Sequence, residues 1–164
     1  MPKTNDLFRA HIREQDPDAK IYLTENYNSF SKKKKDLFGF VDFIVFNSSD
    51  VDGSGYMTFY QITSPGNMSS RLRKIAEDDT MLDVVKYLVS HYQPVVIWGK
   101  DKTKEVYLII DSGGIYKQKF SIKPREMVAF SNTKWDLRIG TRDELRNRMR
   151  AGIESSIKQQ YIKR

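Results

Sequence analysis

The chain has 164 residues, with 28 lysines and arginines against 21 aspartates and glutamates, a formal net charge of +7, two histidines and no cysteine. That length suits one domain with one core, and the lack of cysteine excludes disulfides and thiolate metal sites; His11 and His91 stand too far apart in sequence to suggest a zinc pair. No apolar run approaches a membrane span and MPKTNDLFRAHIRE is too polar for a secretory leader, so a soluble cytoplasmic protein is expected, with a positive balance that favours a polyanionic partner without specifying one.

In chain order, Asn5 or Asp6 is placed to cap a first helix, in which Leu7, Ala10, His11 and Glu14 recur at helical spacing until Asp16-Pro17-Asp18 ends it. Ile21–Tyr27 reads as a strand, in which Glu25 is either a water-facing edge residue or an acid turned toward a site. The polar stretch that follows holds Lys32, Lys33, Lys34 and Lys35, read as a solvated loop or as phosphate contacts. Asp36 opens a turn in which Gly39 allows close backbone approach or an unusual dihedral. Phe40–Phe46 is then β-branched or aromatic at nearly every position, as in a strand buried on both faces. Asp42 is its exception, a carboxylate costly to bury without a cation or a hydrogen-bonding partner.

Asp50, Asp52, Ser54, Gly55, Tyr56, Thr58 and Gln61 fall at the ligand and turn positions of a calcium-binding loop. Its last position lacks the bidentate glutamate and its flanks are β-branched or carry Pro65-Gly66, which favours a hairpin turn, with weak Ca²⁺ binding at Asp50, Asp52 and Ser54 as the alternative. Met57–Ile62 is the second strand and brings Gln61 and Thr63 to its end. A helix begins at Asn67 with Met68, Leu72 and Ile75 inward; Arg71 and Lys74 share one flank and Arg73 points away. Thr80 caps a second helix over Met81–Tyr92, burying Leu82, Val85, Leu88 and Val89. Strands follow over VVIWG after Pro94, over Glu105–Ile110 and over Ile115–Ile122, with Trp98 either core or a platform for a base. Lys123–Asp136 is less periodic, MVAF reading as one more strand and Trp135 and Leu137 as anchors. A capping box from Thr141 to Glu144 opens a terminal helix to about residue 162, with Leu145, Met149, Ile153, Ile157 and Tyr161 on one stripe and Arg142, Arg146, Arg148 and Arg150 on a solvated or DNA-facing side.

DLFGFVD at 36–42, QITS at 61–64 and RLRKI at 71–75 together resemble the PD-(D/E)xK nuclease superfamily, and most nearly its phage-type Holliday-junction-resolvase-like proteins. The resemblance implies a single nuclease-like domain of restriction-endonuclease-like α/β fold, a mixed central sheet flanked by helices. It implies that an acid on one strand and a (D/E)-x-K triplet on the next hold Mg²⁺ or Mn²⁺, the lysine assisting the attacking water. Asp42 matches the first acid and Gln61-Ile62-Thr63 occupies the triplet, whose acid is here an amide and whose lysine is a threonine. Glu25 is the expected second acid, Thr63 a hydrogen-bonding partner of the water, and Arg71 or Lys74 the cation that replaces the missing lysine. Lys32–Lys35, Arg73 and Arg146 are the expected DNA contacts. The implied function is metal-dependent cleavage of branched or duplex DNA by a C₂ homodimer in a bacterial cell, phage- or host-encoded. Two alternatives stand beside it: a catalytically silent relative that binds DNA or a protein through the same surface, and a calcium-binding module built on residues 50–61.

Overall fold

The computed structural model describes residues 4–24, 26–28, 33–35, 37–48 and 57–155, with strand or helix geometry alone given for 26–28, 33–35 and 152–155. The element order is α1 (Thr4–Gln15), β1 (Lys20–Leu23), β2 (Asn26–Asn28), β3 (Lys33–Lys35), β4 (Phe43–Phe46), β5 (Met57–Thr63), a 3₁₀ turn (Pro65–Asn67), α2 (Met68–Ala76), α3 (Asp79–Ser90), β6 (Val95–Lys100), β7 (Lys104–Asp111), β8 (Gly114–Ile122), β9 (Arg125–Lys134) and α4 (Arg142–Ser155). Seven strands form one sheet in the order β1-β4-β5-β6-β7-β8-β9, and β2 pairs with β3 separately. Only the β5–β6 pair is parallel among the described strands. A parallel pair needs a crossover, and α2 and α3 supply it. The protein is therefore α/β, with a mixed sheet and helices on both faces.

Alternation along the strands divides the core in two. Phe59, Ile97, Val106, Leu108 and Ile110 face α2, α3 and α4, whereas Phe43, Val45, Val96 and Trp98 face α1. α2 buries the predicted stripe of Met68, Leu72 and Ile75, each contributing about 1.5–3 kcal/mol of burial free energy. α3 buries Leu82, Val85, Leu88 and Val89 as expected, but it starts earlier than predicted. Asp78, not Thr80, is its cap, its carboxylate accepting from the Met81 amide at 3.0 Å. α4 opens on the predicted box, Thr141 Oγ1 accepting from the Glu144 amide at 3.1 Å, and buries Leu145 and Met149.

Three other expectations need correction. The buried face of α1 is Phe8 and Ile12, with Leu7 36% exposed, so the Leu7–Glu14 stripe is one residue out of phase with the face that packs. The strand expected over 21–27 ends at Leu23, where the Thr24 amide and hydroxyl turn to the carbonyls of Asp42 and Val41. The next strand begins at Phe43 instead of Phe40, because Phe38 and Gly39 both take positive φ (57° and 83°) in a turn closed by the Leu37–Val41 bridge. Gly39 meets its expectation: besides that φ, a Cβ there would lie 2.7 Å from Met81 Cε. Trp98 is fully buried and is core.

Candidate functional site

Asp42 stands one residue before β4, where the antiparallel ladder with β5 ends at the Phe43–Tyr60 pair. Its amide donates to the Tyr60 carbonyl at 2.8 Å and its Oδ2 accepts from the Ile62 amide at 2.7 Å. These two bonds bracket Gln61, so Asp42 lies opposite it. The carboxylate replaces the next main-chain rung of the ladder, which fixes its orientation and offsets part of its desolvation. Gln61 is 2% exposed, on the face turned to α2 and α3, and its Oε1 has no hydrogen-bond partner among the described residues. Thr63 follows on the same face, 8% exposed. An orphaned buried carbonyl oxygen costs about 1–3 kcal/mol, so packing alone gives no reason for an amide there.

Asp42 and Thr63 line a polar cleft of about 410 Å³ together with Ser64, Asn67, Thr4, Asn5, Leu23 and Ile62. Gln61 is not part of this lining. The Ser64–Asn67 wall rests on β6 at Gly99, where a Cβ would come within 3.0 Å of Pro65 N and of the Ser64 carbonyl carbon. Lys74 donates from Nζ to the Gly39 carbonyl at 3.3 Å, in the turn that leads into Asp42. Arg71 is half-buried on α2, and Arg73 is exposed. Asp42, Gln61 and Thr63 thus come together, with Lys74 tied to the segment that carries Asp42.

The remaining expected residues divide into those outside the described set and those with other partners. Glu25, Lys32, Asp36, Asp50, Asp52 and Ser54 lie outside the described residues, as do the side chains of Lys33, Lys34 and Lys35. Thr58 and Gln61 are three apart in β5 and face opposite sides of the sheet, with the Thr58 hydroxyl bonded to Asn47 Oδ1 at 2.8 Å, so the calcium-loop alternative gains no support from this strand. Arg146 donates to the Ala76 carbonyl at 2.9 Å and pairs with Asp79 and Asp143. Arg142 pairs with Asp83, Arg150 with Glu77, and Arg148 lies over the Trp135 ring at 5.2 Å. The arginines of α4 thus clasp it to α2, α3 and the segment after β9. The guanidinium groups beside Glu77 and Asp83 hold those carboxyls below their usual range. No group of three or more histidine, aspartate or glutamate side chains is placed to hold a metal ion among the described residues.

A second polar cluster, not foreseen from sequence, occupies the α1 face. Glu105, 2% exposed, accepts from Arg125 Nη2 at 2.9 Å and from Trp98 Nε1 at 3.3 Å. His11 stacks on Trp98 and holds Nδ1 3.6 Å from Glu105 Oε2, an electrostatic contact too long for a hydrogen bond, while its Nε2 is 2.7 Å from the Tyr107 hydroxyl. Neutral His11 protonated on Nδ1 suits both neighbours. Burial lowers the His11 pKa, opposed by Glu105, and burial raises that of Tyr107. A cleft of about 490 Å³ opens beside the cluster, lined also by Glu14 and Lys100. With its buried acid paired to Arg125 and bonded to Trp98, this network joins α1 to β6, β7 and β9. The one sequence signal for it was Glu105 at the start of an otherwise apolar strand.

No family model matches the chain, and neither the curated proteins nor the solved structures contain a match to it.

Proposed function

We propose that the chain is a divalent-metal-dependent DNA phosphodiesterase of restriction-endonuclease-like fold, working at Asp42, Gln61 and Thr63. The observation that carries this reading is the buried, unpartnered Gln61 Oε1 opposite a carboxylate whose orientation the Ile62 amide fixes. A carboxylate, an amide oxygen and a hydroxyl are the hard oxygen donors that suit Mg²⁺ or Mn²⁺, so the residues present fit the ion that the sequence resemblance implies. When bound, such an ion neutralises phosphate charge and makes a water more acidic. Asp42 and Gln61 would hold it, with Glu25 the second acid on the resemblance alone. Thr63, lining the cleft, orients a water through its hydroxyl, and the polar walls at Ser64 and Asn67 admit a phosphate. Lys74 supplies positive charge from the Gly39 turn in place of the triplet lysine, and Arg71 stands one helical turn before it. The reading carries with it a C₂ dimer, as paired nicks across a junction require.

The absent triplet lysine favours a second reading, a silent DNA-binding relative. Incubating the protein with a labelled four-way junction and a matched duplex in Mg²⁺, Mn²⁺, Ca²⁺ or EDTA separates the two. Cleavage in Mg²⁺ or Mn²⁺ that disappears in Asp42→Asn is the expected result. Binding without cleavage in every metal would leave the silent reading, and absence of both would overturn each.

A further inference from the structure

β7 and β8 pair antiparallel with Lys104 opposite Ser121, Val106 opposite Lys119 and Leu108 opposite Lys117. Val106 and Leu108 face the α2–α4 side, so Lys104, Lys117 and Lys119 face it too. All three are half-buried, standing on the sheet instead of splaying from a loop. Lys117 and Lys119 are two residues apart, about 6.8 Å along the strand. Lys104 sits diagonally from Lys119, at about 7–8 Å. Burial lowers the Lys117 pKa, and the neighbouring Lys119 and Lys104 lower it further. Asp101, the acid beside Lys104, is committed to its turn, accepting from the amides of Thr103 and Lys104 at 2.8 and 2.9 Å. Glu126 stands opposite Ser121 on β9, and none of the three lysines makes an ion pair within 4.0 Å among the described residues. In contrast, the arginines Arg142, Arg146 and Arg150 each have a carboxylate.

We propose that the Lys104–Lys119–Lys117 row is a docking surface for the sugar–phosphate backbone of duplex DNA. Three like charges held close on the sheet, with no carboxylate within 4.0 Å among the described residues and with only Lys104 feeling the charge of Asp101, repel one another, and an anion relieves that repulsion. The row spans about 14 Å, and one DNA strand presents a phosphate every ~3.4 Å of helix axis, so it covers about four phosphates of one strand. Its start at Lys104 lies at the same end of the sheet as Thr63, because β5 and β6 run parallel and Lys100 pairs with Glu105. A duplex lying on the row therefore reaches the end of the sheet that carries the Asp42 cleft. This inference rests on the DNA-directed reading above, and it adds the surface that holds the duplex.

The test is duplex binding by fluorescence anisotropy in EDTA, where no cleavage intervenes, as a function of salt. The triple variant Lys104→Gln, Lys117→Gln, Lys119→Gln is compared with a charge-matched control, Lys20→Gln, Lys86→Gln, Lys134→Gln, each with its fold checked by circular dichroism and thermal midpoint. The row variant is expected to lose roughly 10–100-fold in affinity near 0.1 M salt and to flatten the log–log salt slope by about 2–3, with the control changing little. Glu126→Gln, which leaves the lysines in place, is expected to tighten binding. Equal losses in row and control variants, or loss in neither, would overturn the surface while leaving the DNA-directed reading standing. A wild-type protein that binds the four-way junction but no duplex would overturn the surface alone, and one that binds neither would overturn both.

Discussion

Gln61 and Glu105 are equally buried, on β5 and β7 of one sheet, yet they are treated in opposite ways. Glu105, the more expensive group to bury, is given Arg125, Trp98 and His11. Gln61, the cheaper one, is left beside a carboxylate with an acceptor that has no partner among the described residues. A fold that satisfies the charged group and leaves the neutral amide bare has spent its hydrogen bonds on architecture in one place and withheld them in the other. The difference marks Glu105 as a structural centre and Gln61 as a residue whose chemistry the folded chain does not itself use.

The strongest way to break this contrast is Glu105→Ala. Removing the carboxylate leaves the buried Trp98 indole N–H without its acceptor, while Arg125, its side chain 52% exposed, turns to water, so the expected loss is about 1–3 kcal/mol of stability in urea denaturation. A loss below about 1 kcal/mol would show that the network does not hold α1 to the sheet. Next comes Gln61→Leu, expected to raise the urea midpoint by up to about 1–3 kcal/mol of stability while abolishing any response of the protein to Mg²⁺ or Mn²⁺. A clear fall in stability would mean that the amide is structural after all, and the contrast would fail. The smallest effect is in pH. Because burial lowers the folded-state His11 pKa, the unfolded chain binds the proton more readily. The neutral-His11 contribution is therefore complete above the unfolded value of about 6.5 and declines as pH falls through it toward the lower folded value. His11→Phe, keeping the stack on Trp98, should remove this part of the pH dependence when midpoints at about pH 8 and pH 5 are compared.

What could be read from sequence follows how local the cause is. The stripes of α2 and α3 were legible because Met68, Leu72, Ile75 and Val85 leave one choice of inward face. α1 offered two, and the larger Phe8 and Ile12 won over Leu7 and Ala10 once the aromatic side chains of Phe43, Tyr60 and Trp98 were in place to receive Phe8. The ten residues of β9 were underestimated because its polar ends, Arg125-Glu126 and Asn132-Thr133-Lys134, are strand only through pairing with β8. That Asp42 and Gln61 stand near one another was implied by the resemblance, which set Asp42 on one strand and the Gln61-Ile62-Thr63 triplet on the next. That the Asp42 carboxylate takes the Ile62 amide was not, because it depends on the ladder stopping at Phe43. The Glu105 cluster was least legible: positions 11, 98, 105, 107 and 125 meet only through strand register and the placement of α1.

Gly99 sets a mechanical condition on the cleft. With no side chain there, the turn after β5 packs closely on β6: a Cβ would stand 3.0 Å from Pro65 N and from the Ser64 carbonyl carbon, and 2.9 Å from Met68 Sδ. Any side chain at position 99 would push the Ser64–Asn67 wall off the sheet, so the shape of the gap beside Asp42 depends on one absent side chain on a neighbouring strand.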